Sequence, residues 1–509
     1  MILKFLRGWA LKHNITHAAI SDLLVGLKEN DQCFADDQSE PKFPIRESAR
    51  TLLKTRRTML LYIVHIGLKK QLLKIARKYL KNVSIFKLLI NIDGLPLFKS
   101  SSAQVYPILC IVVSIPELPV VNRDHPGIYY GKEKPDNLNN YLQDFIEEIN
   151  NLMAHGFHFE DHTIFLDGTY FVCDAPAKSY VMGTVSYTGF SSCIRCTVRG
   201  VTSYNRRIFV DLESPARTCE DFLEGSSSHS IDQYYSLDFV HHFILDYLRL
   251  QCLDVMRTMI LNMWYKGPIP HRLSATQIEM LSNHLVELQC QFPVEFVRKC
   301  RELFILLQWK RTEFRLFMLY VGPVVLKNIL SEQKFVHFLE FHCAMRILLI
   351  RICAKNGSFC VLCCCVSFDS ENATVKPRDH IFHKLFSPHN AGPVLSGCRR
   401  QYRDAALSLF KITNNAPDNC CGTADGEIIQ VANIAFSDHL QFPVVIGKKF
   451  VSKRDFYNVP IENSRVGIFK VEQLSNLKAW PLSQITIKYV QLPYKTAYIV
   501  SSILHCDAL

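Results

Sequence analysis

The chain lacks a stretch of about 18 uncharged apolar residues, the length a helix needs to cross a bilayer. Its nearest approach, Cys343 to Phe368, is broken by Arg346, Arg351 and Lys355. No secretory leader is convincing either, because MILKFLRGWALKH is short and carries charges throughout. A soluble intracellular protein with no membrane partner is the expectation. G-x-S-x-G, G-x-x-x-x-G-K and H-E-x-x-H are all missing, which argues against an elbow-type serine hydrolase, a P-loop nucleotidase and a zincin protease. Charge is sparse at 21%, against 48% hydrophobic residues, so most of the chain should be globular rather than disordered. Acid is absent from Arg50 to Lys81, where ten basic residues stand.

What is present is a chain of 509 residues, long enough for roughly two to four domains. The net charge is +11, and residues 1–82 hold 16 Lys and Arg against 7 Asp and Glu, which is +9 of it. A polyanion, most simply nucleic acid, is the natural partner of such a segment, and an anionic membrane surface is the competing one. The 19 cysteines, without a secretory signal, read as reduced thiols or metal ligands rather than a disulfide framework.

Residues 1–82 form the basic segment. Two short helices are expected over 2–29, the second capped by Thr16 with Ala19, Ile20, Leu23, Leu24 and Leu27 on its apolar face, as in a helix-turn-helix reader or a small packing unit. A polar linker follows over 30–48. Ile66 to Lys81 predicts an amphipathic helix with Leu68, Leu72, Ile75 and Tyr79 inward. Lys70, Lys74, Arg77, Lys78 and Lys81, with Arg56 and Arg57 upstream, are the candidate phosphate contacts; a merely solvated basic face is the alternative.

Residues 83–235 alternate strands and helices: IFKLLINID ending at Asp93, PILCIVVS, a helix from Asp136 to His155, and TIFLDGTYFVC running to Asp174. That order predicts an α/β layer. Residues 236–355 are mostly helical, and 356–425 are irregular and rich in Cys and His. Residues 426–509 alternate short β-type runs with turns, as in a small all-β domain.

Asp93 and Asp174 each close a β-type run. Carboxylates at neighbouring strand ends can converge on Mg²⁺ or Mn²⁺, and a pair of such ions can activate a water or a 3′-hydroxyl at a phosphodiester. On spacing alone, two such aspartates are more often turn or capping residues. Cys193 and Cys196 make a C-x₂-C, half of a zinc site or an idle or redox pair.

Longer words carry a resemblance. They are NIDGLPLFKSSS with YPIL, GIYYGKEKP, FVCDAPAKSYV, GFSSCIRC, RLSATQI, WKRTEFRLFMLYVGPVVLK, and DNCC with LPYK, in that order. In them the chain resembles transposases of the CACTA-like DDE group, over most of 46–350 and 400–505. The resemblance implies an RNase H-like catalytic core with a helical insertion, two Asp and a Glu around paired Mg²⁺ or Mn²⁺, and a nuclear, DNA-bound, oligomeric enzyme. It puts the acids at Asp93, Asp174 and, on a later helix, Glu313. It also implies structural zinc on Cys193, Cys196 and Cys252. Relatives tend to carry a His three residues before that last Cys, where this chain has Arg249, which has no lone pair to offer a metal; His229, His241 or His242 would have to substitute. The stretch 353–387 departs from the family's helical region and suggests a copy no longer selected for full transposition. Two functions follow as expectations: metal-dependent strand cleavage and transfer at transposon ends, possessed in impaired form, or a catalytically inactive DNA-binding or scaffold descendant, nuclear or cytoplasmic.

Overall fold

The computed structural model describes Ala19, Asp22, Leu23, and then 62–79, 85–97, 103–113, 124–135, 138–225 (without 187, 204–205, 212 and 219), 239–356 and 384–504 (without 408–409). Arg56, Arg57, Lys81, His229, the linker over 30–48 and most of 2–29 lie outside the described residues. Within the described residues the chain is mixed α/β, with 35% helix and 34% strand. No described helix is long and apolar enough to cross a membrane.

The first sheet is built from β1 (Tyr62–His65), β2 (Ile85–Ile92), β3 (Leu95–Pro96), β4 (Gln104–Val112), β5 (Asp124–Gly131), β6 (Phe157–Phe159), β7 (His162–Val172) and β10 (Phe243–Ile244). A separate hairpin, β8 (Val201–Ser203) and β9 (Arg206–Ile208), lies between β7 and β10 in the chain. The fold divides into two compact units, the smaller comprising Met1–Ile66, Gly94–Pro107 and Gly127–Tyr141. In the smaller unit β1 runs antiparallel to β5, and β3 to β4. Tyr129 stands edge-on to both Tyr106 and Tyr141 at 5.9 Å. The Tyr141 hydroxyl donates to the Tyr106 carbonyl at 2.9 Å.

In the larger unit the strand order is β4–β2–β7–β10. β2 is antiparallel to β4 and parallel to β7, and β10 is parallel to β7. β2 buries Phe86, Leu88, Ile90 and Ile92, the period-two alternation of a strand. β7 carries one extra residue against it between Phe86 and Leu88, and Gly168 there takes φ +98°, a conformation that costs a glycine little.

Helix α1 (Leu68–Tyr79) starts two residues after the Ile66 its sequence period suggested, and Lys81 lies outside the described residues. Leu68, Leu72 and Ile75 are buried as expected, while Lys70, Lys74, Arg77 and Lys78 are exposed. Its first turn holds no acid. Instead Glu148, on α2 (Leu138–His155), accepts from the amides of Leu68 at 2.6 Å and Lys69 at 2.8 Å. A carboxylate from another helix thus satisfies amide groups that a helix start leaves orphaned, and it complements the positive end of the dipole. Helix α2 buries Leu142, Phe145, Ile149 and Leu152 at helical spacing. The short α3 (Ala175–Val181) follows β7 directly.

The helical region is wound partly with π-type turns, at Leu248–Met256, Met259–Tyr265 and Phe317–Val321. The word RLSATQI explains itself here. Ser274 and Gln277 form a reciprocal capping box, at 3.2 and 3.0 Å, that starts α4 (Ala275–Glu287). Helix α5 (Arg311–Leu316) leads through a wholly buried run to Leu326, and α6 (Glu332–Asn356) closes the region. Arg346, which interrupts the apolar run of the sequence, is itself fully buried. It donates to the carbonyls of Leu319 at 3.0 Å, Val466 at 2.8 Å and Ser502 at 3.2 Å, so its charge is spread over backbone dipoles.

The C-terminal sheet has ten strands: β11 (Lys384–His389), β12 (Cys398–Ala406), β13 (Lys411–Thr413), β14 (Cys420–Thr423), β15 (Ile428–Ser437), β16 (Phe442–Arg454), β17 (Ile468–Leu474), β18 (Lys478–Pro481), β19 (Ile485–Tyr494) and β20 (Ala497–Ser502). It therefore begins well before residue 426. Strands β11 to β14 occupy a stretch that reads as irregular, because β13 and β14 are short and the longer β11 and β12 show little alternation in burial. The pairings β15–β14, β14–β19, β19–β20, β20–β17, β17–β16 and β16–β15 return to their start, which makes an antiparallel closed barrel without free edges in that ring. Cys420 and Cys421, the DNCC pair, are fully buried on opposite faces of β14 and serve two different cores.

Candidate functional site at the strand ends

Asp93 follows β2 by one residue, and Asp174 follows β7 by two. The two strands are parallel neighbours whose register pairs Ile90 with Phe171, and three residues further on that register sets Asp93 beside Asp174. The Asn91 side chain donates across the gap to the Val172 carbonyl at 2.6 Å. Cys173 lies between the two acids. Its buried thiol is pushed up to about 12, chiefly by desolvation, with the charges of Asp174 and Asp93 adding to the shift. Both carboxylates are half-buried.

A third acid, which the sequence reading passed over, stands at the next strand end. Asp246 lies two residues beyond β10, and β10 pairs Ile244 with Val172. The signal was available, since FILD ends an apolar run in Asp just as INID and FVCD do. Asp246 accepts from the Arg249 amide at 3.1 Å and meets Arg311 at 3.2 Å. Asp254 is also close. Burial raises its pKa and the charges of Asp174 and Asp246 raise it further, while Arg249 and Arg257 oppose them.

Guanidinium groups interleave these acids. Asp174 is the N-cap of α3 and accepts from the Ala177 amide through Oδ1 at 2.8 Å, with Pro176 in the first turn. Its other oxygen, Oδ2, faces Arg249 Nη2 at 3.7 Å, and Arg249 Nε stands 3.9 Å from Asp254. The arginine at the expected zinc-ligand position thus reaches the acids rather than the thiols.

Glu313 is engaged elsewhere. Its carboxylate is almost fully buried and takes two bonds from Arg301, through Nε and, at 2.9 Å, through Nη2. Oε2 also accepts from the Lys310 amide at 2.7 Å, the N3 half of a capping arrangement that starts α5. Three fixed donors thus occupy its two oxygens, one on Oε1 and two on Oε2.

Cys193 and Cys196 come together, with sulfurs 3.5 Å apart and the Arg195 amide donating to Cys193 Sγ at 3.4 Å. Cys252 is wholly buried in the core of the helical region, beside Tyr247. His241 is exposed, and His242 is edge-on to Tyr170 at 6.2 Å. Lys178 is mostly buried near Cys173 and Cys193, and its pKa is lowered by desolvation and then by Arg195.

Among the described residues, no three or more His, Cys, Asp or Glu side chains are grouped so as to hold a metal ion. For paired Mg²⁺ or Mn²⁺ the position of Asp93 and Asp174 is suitable, but Asp174 is capped and faces a guanidinium, and Glu313 is locked to Arg301. The three-carboxylate set does not fit two ions in this arrangement. Two thiols with no third donor among the described residues do not fit a closed tetrahedral zinc site.

Residues 388–503, the barrel with the strands before it, match a family described as a domain of unknown function (DUF8592). Comparison with curated proteins finds no match.

Proposed function

We propose that the chain descends from a DDE-type transposase, keeps its RNase H-like core, and works as a DNA-binding protein without strand transfer. The ancestry rests on the motif words. The core assignment is supported by the order β4–β2–β7–β10, with β2, β7 and β10 mutually parallel and α2 placed in the chain before β7. The observation that carries the non-catalytic reading is the interleaving of acids and guanidiniums: Arg249 on Asp174, Arg311 on Asp246 and Arg301 on Glu313. A site whose carboxylates already have internal cations gains less from divalent ions. DNA is supported by the four exposed basic side chains of α1, on a helix where Glu148 caps the end rather than covering that face.

The test is duplex binding by the whole protein across a salt series. Replacing Lys70, Lys74, Arg77 and Lys78 by Gln should lower the slope of log affinity against log salt by about 0.9 for each phosphate no longer neutralised. An unchanged slope removes α1 from the interface.

Strand cleavage is the second reading, favoured by one observation, the juxtaposition of Asp93 and Asp174. Incubation with Mn²⁺ and DNA carrying terminal repeats decides between the two. Nicks that vanish in Asp174→Ala would establish catalysis and defeat the non-catalytic proposal.

A further inference from the structure

A cavity of about 430 Å³ opens on the C-terminal barrel, remote in kind from the acidic strand ends. Three aromatic side chains, Phe410, Phe469 and Tyr489, line it, together with the hydroxyl residues Thr423, Thr486 and Ser502. Two cations complete the lining, Lys453 and Arg465, both exposed on their outer sides. Among the described residues neither forms an ion pair with a carboxylate. Lys453 is held in place by other means, donating to the Gly426 carbonyl at 3.1 Å with Nζ 3.9 Å from the centre of the Phe469 ring. Desolvation lowers its pKa, the mark of an ammonium partly withdrawn from water.

Elsewhere in the lining the ammonium of Lys488 is already answered by carboxylates. Lys488 is fully buried and paired with Glu295 at 2.7 Å and Asp418 at 2.5 Å. Unmatched positive charge therefore belongs to Lys453 and Arg465. Thr423 accepts from the Glu427 amide at 3.2 Å through its hydroxyl oxygen, which leaves the hydroxyl hydrogen to donate.

The volume is that of a small-molecule site, too small for a duplex. Aromatic walls suit a flat π-face, hydroxyls suit the polar edge of a heterocycle, and paired cations suit a phosphate. A saturated fatty chain would use the walls but leave the ammonium of Lys453 and the guanidinium of Arg465 unanswered. We propose that this cavity takes one nucleotide unit, base inward and phosphate against Lys453 and Arg465. Its choice of partner leans on the DNA-binding reading, but it rests on residues that α1 does not share.

The unit can arrive as a free nucleotide or as an unpaired position in a single strand. Calorimetric titration of the whole protein with thymidine 5′-monophosphate, deoxyadenosine 5′-monophosphate, thymidine, inorganic phosphate and a short oligothymidylate separates these. A nucleoside monophosphate should bind more tightly than thymidine or phosphate alone. The double variant Lys453→Met with Arg465→Met should weaken it about tenfold or more, since each cation contributes a charge-assisted bond. An oligothymidylate that competes for the cavity and binds more tightly than the monomer identifies the strand as the source; equal affinity identifies the free nucleotide. No monophosphate binding, or binding that the double variant leaves unchanged, overturns the proposal. So does phosphate alone binding as well as the nucleotides. Duplex binding measured on the same samples keeps the two readings apart: if it survives while nucleotides fail, only the cavity assignment is lost.

Discussion

The strand-end acids of the α/β sheet and the buried acids beneath the barrel are made of the same side chains and are held in opposite ways. Asp93 and Asp174 are half-buried at the ends of parallel strands, and the guanidinium that faces Asp174 stands 3.7 Å off. Glu295 and Asp418 are almost wholly dry and clamp Lys488, with Glu295 also accepting from the Lys411 amide and Asp418 from the Val294 amide, both at 3.0 Å. The first arrangement leaves two carboxylates half-exposed at the ends of their strands. The second joins the 292–300 loop of the helical region to the barrel and leaves nothing open. An acid in a conspicuous motif is therefore not by itself a reactive acid; the partners decide, and Glu313 falls with the second group.

That comparison can be broken most sharply at the clamp. Glu295→Ala removes one of the two buried carboxylates that hold the Lys488 ammonium and should cost about 3 kcal/mol or more in urea unfolding, whereas Asp93→Ala should cost under about 1 kcal/mol. Equal costs would erase the distinction.

Acid provides the next test. His342 is fully buried and faces Arg346, and these outweigh the bond it donates through Nδ1 to the Met318 carbonyl at 2.7 Å, so its pKa falls from 6.5 to about 3. Below about 6.5 the unfolded chain takes up a proton that the folded chain refuses until near 3. Stability should fall by about 1.4 kcal/mol for each pH unit below 6.5 through this residue. Unfolding at pH 7.5 and 5.5 should show a shallower loss in His342→Asn, which keeps a donor but does not titrate.

Glu313→Ala should lose roughly 1–3 kcal/mol with its bonds to Arg301 and the Lys310 amide. A loss below about 0.5 kcal/mol would return Glu313 to the pool of acids free to act. Asp174→Ala should cost about 1 kcal/mol, the worth of an N-cap. The four α1 substitutions to Gln should move stability by about 0.5 kcal/mol or less while changing the salt slope, because those side chains face water.

Much of the architecture was legible in the sequence. A continuous apolar run placed β2, and the apolar spacing placed α1 and α2, with α1 starting two residues after the expected Ile66. The two strand-end aspartates were found because a hydrophobic run that stops at a carboxylate is a local signal. Asp246 was missed because β10 is only two residues long and its run looks like part of a helix. Strands β11 to β14 were missed because β13 and β14 are only three and four residues long and β11 and β12 lack a clean alternation. Glu313 was singled out because a motif names a residue type and not its neighbours.

The sequence by itself determined the repeating apolar patterns, the capping residues Asp174 and Ser274, and the basic face of α1, since each depends on residues within a turn or two of one another. Only the tertiary structure decided that Glu148 would cap α1, that Arg249 would face Asp174 instead of the thiols, and that Lys488 would find Glu295. Those pairings join residues about 70 to 190 positions apart, and burial sets their strength, so no local pattern encodes them.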